Sequence, residues 1–375
     1  MKTLKLSTAL LLVLLSSSFA TAADWRQFRG SLMNGIAEDS TLPISWNVKS
    51  GKNIAWKAEL PGRGLSSPIV VGNQVIVTAS SGFSQNRLHV LAFDTTTGKL
   101  NWKRQFWATG RTQCHIKTCV AAPTPASDGK LVFATFSSND VVCLDLKGNL
   151  KWFRGLTYDF PNASNSLGMS SSLVVSGKTL VVQVECDAVA FTMGLNTANG
   201  ISRWKIDRPR GANWTSPTLF PKQKNASQNK SKELVLLQSS KGLTAVVPAT
   251  GKIIWDYGDG ASTIPSSVVG NGIVFIPSKG ITAVKPIAAS DAPKVLWNKG
   301  RLSPATSSPF FYRHKIYTVN RAGVINCANA TTGDILWRLR LKGPFGATPV
   351  AANGKIYYVN EHGLVQIVKP GDKKG

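Results

Sequence analysis

The chain is poor in the side chains from which catalytic centres are usually built. Its four histidines, His89, His115, His314 and His362, lie far apart. No G-x-S-x-G elbow, H-E-x-x-H helix, P-loop or dinucleotide fingerprint occurs, which removes the common nucleophile, zinc-protease and nucleotide signatures. There are five cysteines, none adjacent to another and none in a C-x-x-C pair. The nearest to a metal or haem motif is "CHIKTC", and its spacing matches neither C-x-x-C-H nor a zinc knuckle. In an oxidising compartment, Cys114 and Cys119 are expected to form a local disulfide.

Acidic residues are scarce as well. Lys and Arg number 44 against 19 Asp and Glu, for a net charge of +25. Lys222, Lys224, Lys230 and Lys232 crowd the stretch "PKQKNASQNKSK". Such a run is either a solvated loop or a patch for acidic polysaccharide or membrane headgroups. Long apolar runs are confined to the start, where Lys2 and Lys5 precede Leu10–Leu15 and the small-residue exit Ala20-Thr21-Ala22. This reads as a cleaved signal peptide over 1–22. No cysteine follows it to take a lipid anchor. The expected location is therefore periplasmic or secreted, with nucleic acid excluded as a partner.

What is present is a repeat. Trp56, Trp102, Trp152, Trp204, Trp255, Trp297 and Trp337 recur at intervals of 46, 50, 52, 51, 42 and 40 residues. A period of this length marks a repeat architecture. Each period holds a small-residue start such as "SSPIVV", two β-branched runs, a turn with Gly, and the tryptophan strand. Four short strands per repeat predict an all-β fold, a β-propeller of four-stranded antiparallel blades. Each indole is positioned to bury between neighbouring blades. Prolines near the first strands fit an axial strand with one unpaired edge. A column of small residues, Ala92, Cys143, Gly194, Ala245, Ala283 and Cys327, marks a tight packing slot, so Cys143 and Cys327 read as core rather than ligands.

The phase gives seven blades, with eight as the alternative. The last repeat, ending in "GLVQIVKPGDKKG", has three strands, and "KNIAWKAEL" is a fourth strand without its first three. Their pairing would close the ring and hide both sheet edges. The expected organisation is signal peptide 1–22, N-terminal extension 23–52, propeller 53–369 and tail 370–375.

"AFDTTTGKLNW", Ala92 to Trp102, carries the A-x-D-x-x-T-G-x-x-x-W pattern, with "CANATTGDILW" and "GLNTANGISRW" as close variants. These repeats resemble the pyrroloquinoline-quinone (PQQ) binding-like propeller family. The resemblance spans roughly Trp25 to Lys369 and implies the fold. It points to two functions. Quinoprotein dehydrogenases of the superfamily use PQQ, calcium, a catalytic Asp and adjacent cysteines, and this chain lacks the cysteine pair. The outer-membrane assembly factor of the same repeat family is a non-catalytic scaffold, usually lipidated and usually eight-bladed. The leading expectation is a non-catalytic binding or scaffold module for an envelope protein or an anionic ligand. The alternatives are a PQQ-dependent oxidoreductase and a binder of acidic polysaccharide or membrane surface.

In a propeller the second-to-third hairpins and the blade-to-blade connections share one face. The hairpin tips carry Asp140, Glu185 and Asp187, then Lys241, Lys279, Arg321 and His362. The long connections add Arg111, His115 and Tyr158. These form the candidate ligand-binding set, read as an anionic arc and a cationic arc around a mouth.

Overall fold

The computed structural model describes residues 24–38, 42–222, 233–287 and 292–375. The expected signal peptide, and Lys224, Lys230 and Lys232, lie outside the described residues. Seven antiparallel sheets follow one another along the chain, six of four strands and the last of three. They are blade 1 (69–107), blade 2 (126–155), blade 3 (174–207), blade 4 (218–257), blade 5 (268–299), blade 6 (310–340) and blade 7 (350–368). The sole α-helix among the described residues is the single turn Leu156–Asp159. The fold is a seven-bladed β-propeller.

The tryptophan period has a direct structural cause. Trp102 lies across its own blade from Ala92, Trp152 from Cys143, and Trp204 from Gly194. Trp255, Trp297 and Trp337 pair in the same way with Ala245, Ala283 and Cys327. A register shift follows each small residue, and such bulges bend a strand and increase its twist. The small column is the space beneath the indole: a Cβ on Gly194 would stand 2.3 Å from the Trp204 ring. Cys143 and Cys327 are fully buried there. Burial pushes their thiols up to about 12 and about 11, which makes them inert packing residues.

Each indole then reaches the next blade. Trp102 Nε1 donates to the Leu146 carbonyl at 2.9 Å, Trp152 to Thr197 at 3.0 Å and Trp204 to Pro248 at 2.8 Å. The turn glycine lies flat against the ring. A Cβ on Gly148, held at φ +81, would meet Trp102 at 2.7 Å. Glycine is needed there both for the left-handed backbone and for the close approach. The longer turn after Trp255 has no glycine between Pro286 and Ala292, and Trp255 Nε1 finds no hydrogen-bond partner among the described residues.

Ring closure departs from the expected four-strand form. Residues 53–60 make no ladder with the last strand, Val365–Val368, whose sheet stays three-stranded. The docking half of the expectation is present. Trp56 stacks on Phe93 with ring centroids 6.4 Å apart, donates to the Thr95 carbonyl at 2.9 Å, and covers Gly98 of blade 1. The 370–375 segment supplies the matching dock for blade 6, where Trp337 Nε1 donates to the Gly371 carbonyl at 2.9 Å.

A second tie runs along the axis. Residues 25–37 thread the centre of the ring and touch every blade. Trp25 exchanges two backbone hydrogen bonds with Val70 of blade 1, and the Arg26 carbonyl accepts from Ser127 N–H of blade 2. Gln27 Oε1 accepts from Val175 N–H of blade 3. Met33 shares an apolar cluster with Leu219, Val235 and Leu237 of blade 4. Arg29 donates to the Ser267 carbonyl, next to blade 5, at 2.9 Å. Gly35 lies against Phe310 of blade 6 and accepts from Ala351 N–H of blade 7 at 2.9 Å. This stretch, assigned from sequence to an N-terminal extension, forms an axial plug.

Candidate functional site

The plug closes one end of the axis and leaves a funnel of 840 Å³ on the opposite, loop-bearing face. Its floor is Trp25, Phe28 and Arg29, and Leu65, Lys117, Trp214 and Ile264 line it further out. Its wall is a belt of hydroxyls, one per blade: Ser67, Thr124, Ser172, Ser216, Ser266, Ser308 and Thr348. Ser67 N–H donates to Thr124 Oγ1 at 3.1 Å, and Thr124 N–H to Ser172 Oγ at 3.1 Å. Ser172 N–H donates to Ser216 Oγ at 3.0 Å, then Ser216 to Ser266 and Ser266 to Ser308, both at 2.9 Å. The inner strand has an unpaired edge, and its buried N–H groups need acceptors. A serine or threonine from the next blade provides one in little space. This is the physical reason for the small-residue start of every repeat.

The sequence-derived site residues do not converge on this funnel. Lys241, Lys279, Arg321, His362, Asp187, Arg111, His115 and Tyr158 are exposed on hairpin tips and connections around the mouth. Asp140 and Glu185, read as an anionic arc, are buried instead and do structural work. Asp140 accepts from Thr109 N–H at 3.0 Å, Thr109 Oγ1 at 2.5 Å and Ser138 Oγ at 2.6 Å, which ties the blade 1–2 connection to blade 2. Burial pushes its carboxyl up despite these three donors. Glu185 accepts from Arg208 at 2.9 Å and Asn213 at 2.7 Å, and Arg208 continues to Thr244 and the Leu237 carbonyl of blade 4. Burial raises Glu185 while the Arg208 charge pulls it down. The pair is an inter-blade clamp.

Cys114 and Cys119 are both free thiols, so the expected disulfide is not formed. Cys119 is buried and Cys114 Sγ accepts from Gln85 at 3.4 Å. The two long connections interlock through His115 N–H donating to the Leu167 carbonyl at 3.1 Å. Trp214 Nε1 adds a third by donating to Gly168 at 2.8 Å. Lys117 reaches across to Glu361 of blade 7 at 3.5 Å. This sector carries several exposed apolar side chains: Phe83 on the first hairpin tip, Trp107, Ile116, Tyr158 and Leu167.

Comparison with known proteins follows the geometry. The family model described as outer membrane protein assembly factor BamB matches residues 35–191 and 281–372. The chain belongs to the BamB family. Among solved structures, BamB from Moraxella catarrhalis superposes with a TM-score of 0.61 at 18% identity, covering 84% of this chain and 88% of that one. A europium-containing methanol dehydrogenase gives 0.48 at 11% identity, with 92% and 89% covered. A quinohaemoprotein alcohol dehydrogenase from Comamonas testosteroni gives 0.47 at 13%, with 90% and 77% covered. No curated protein sequence matches the chain.

In this BamB-family propeller the funnel lining does not supply the calcium ligands of the PQQ–calcium pair that the repeat resemblance implies. The funnel lining has no carboxylate, and calcium takes six to eight oxygen ligands with carboxylates prominent among them. Lys241, Lys279 and Arg321, the cations read from sequence as able to face a tricarboxylate, are on outer hairpin tips, and the cations of the funnel are instead Arg29 and Lys117. Sequence reasoning missed Arg29 and the plug. The available signal was "DWRQFRG", Asp24 to Gly30, in which a basic residue stands between an aromatic and a glycine a few residues past the expected cleavage site.

Proposed function

We propose that this chain is an exported, non-catalytic binding module of the assembly-factor type, and that its loop face over blades 1–3 docks an envelope protein. The observation carrying this reading is the set of exposed apolar residues on that one face. Phe83 is 107% exposed and Ile116 82%, held on connections that are hydrogen-bonded to one another. Exposed apolar groups gathered on a rigid surface are characteristic of protein-binding sites. Family membership supports the same reading, since the matching family is described by outer membrane protein assembly.

The test is affinity capture from envelope extracts with the native chain and with a Phe83→Ser, Ile116→Ser, Tyr158→Ser variant. The reading expects a defined protein retained by the native chain and lost by the variant. Capture that survives all three changes, or no captured protein, overturns it.

A further inference from the structure

Blade 7 has an open outer edge. The other six sheets have four strands and this one has three, ending at Val365–Val368. Asn360 N–H donates to the Leu364 carbonyl at 3.0 Å. Bonded and non-bonded pairs alternate along an antiparallel ladder. Gln366 and Val368 therefore bond inward to Lys355–Val359, and the N–H and C=O groups of Val365 and Ile367 point outward. Blade 6 has the same turn from Asn320 to Val324, and there the outward Gly323 carbonyl accepts from Leu341 N–H, just past the fourth strand. In blade 7 no backbone hydrogen bond among the described residues joins Val365 or Ile367 to anything outside the sheet.

An unpaired strand edge is a template for another strand. A groove of 610 Å³ runs along this one, bounded on its far side by residues 44–49. Ile44 and Val48 across the groove and Leu364 beside it are exposed. The charge at the groove has one sign. Lys49 lines it, Lys57 Nζ donates to the Val48 carbonyl at 2.8 Å, and Lys342 holds the Gln366 side-chain amide through its own N–H and C=O. None of these lysines enters an ion pair among the described residues, and no carboxylate lines the groove. A second copy of the chain would bring the same cations to the edge, and residues 53–60 are held to blade 1 through Trp56. We propose that the blade 7 edge captures an extended, acidic segment of a partner polypeptide, which pairs as the missing fourth strand. Its backbone would bond Val365 and Ile367, its apolar side chains would rest on Ile44 and Val48, and its carboxylates would face Lys49, Lys57 and Lys342. This edge is apart from the docking face over blades 1–3, and the two stand or fall independently.

The test is amide exchange at Val365 and Ile367, read by NMR, with terminally blocked peptides as probes. One peptide has an alternating Val–Thr core flanked by Glu, and its counterpart is flanked by Lys. In the free chain both amides are expected to exchange fast, while Gln366 is protected by the blade's own ladder. The Glu-flanked peptide is expected to slow both saturably, and the Lys-flanked peptide to bind at least about tenfold more weakly. Ile367→Pro removes an outward N–H at an edge position where proline is tolerated, and it is expected to abolish binding. Slow exchange of Val365 and Ile367 in the free chain would mean that residues 53–60 or a second copy already fill the edge, which overturns the proposal. Equal binding of the two peptides, no binding of the Glu-flanked one, or binding that leaves both amides in fast exchange also overturns it. So does binding that survives Ile367→Pro in a chain with native protection at the blade centres. Should Ile367→Pro fail to fold, a Glu-flanked peptide N-methylated throughout its core decides, since binding equal to that of its parent contradicts strand pairing.

Discussion

Replacing a docking tryptophan by phenylalanine should have opposite secondary effects at two positions that look alike in sequence. Trp102 and Trp255 are both buried, at 8% and 3% exposed. In each, Trp→Phe trims the same atoms from the same kind of slot, and that shared loss is on the order of 1–2 kcal/mol. The hydrogen bonds differ. Trp102→Phe removes a donor from the Leu146 carbonyl, a bond 2.9 Å long, for a further ~1 kcal/mol. Trp255→Phe removes a buried N–H that has no partner among the described residues, which returns ~1–3 kcal/mol of desolvation. Trp255→Phe should therefore be the more stable variant by about 2 kcal/mol or more. Urea unfolding followed by far-UV circular dichroism, with equal m-values required, measures the difference. Equal midpoints, or a lower midpoint for Trp255→Phe, would refute the docking argument.

Arg208→Ala should destabilise by ~3–5 kcal/mol, because it strands the buried Glu185 carboxylate, whereas the paired change Arg208→Met with Glu185→Leu should recover most of the loss; thermal unfolding checks both. Asp140 gives a pH signature. Its carboxyl is raised by burial, so the folded chain holds that proton more tightly than the unfolded one, and stability from this group falls as pH rises through the window. Asp140→Asn, which can keep the Thr109 and Ser138 contacts, should gain on the native chain between about pH 4 and pH 7; a constant offset in melting temperature across that range contradicts the assignment. Gly148→Ala should cost ~1–3 kcal/mol, through its positive φ and the approach to Trp102, and its urea midpoint should fall accordingly.

The ring was legible because one interaction repeats. An indole needs a small residue across its own blade and a glycine turn on the next, and that chemistry leaves a period in the sequence. The hydroxyl belt left a trace of the same kind, visible as small-residue strand starts, although its hydrogen-bonding role was not. The candidate site was far less legible. The repeat phase places Asp140 and Glu185 on hairpin tips, yet whether such a side chain faces solvent or turns back to Thr109 or Arg208 depends on contacts from residues 31 and 23 positions away. Closure failed in one particular. Residues 53–60 carry the docking tryptophan, but Trp56 gains its burial and hydrogen bond from blade 1 alone, so no ladder to blade 7 is needed to hold it. The plug escaped notice because it occurs once and makes no pattern.

Amide hydrogen exchange at Val70 and Ala351 tests the central claim, that residues 25–37 hold the seven blades together from within. These two inner-strand N–H groups donate to Trp25 and Gly35 carbonyls of the plug, each at 2.9 Å. Both should exchange as slowly as the ladder amides of the blade centres, since they open only when the plug undocks. Exchange at the rate of the exposed hairpin tips, with the blade centres still protected, would show that the axis is open and the plug is not part of the ring.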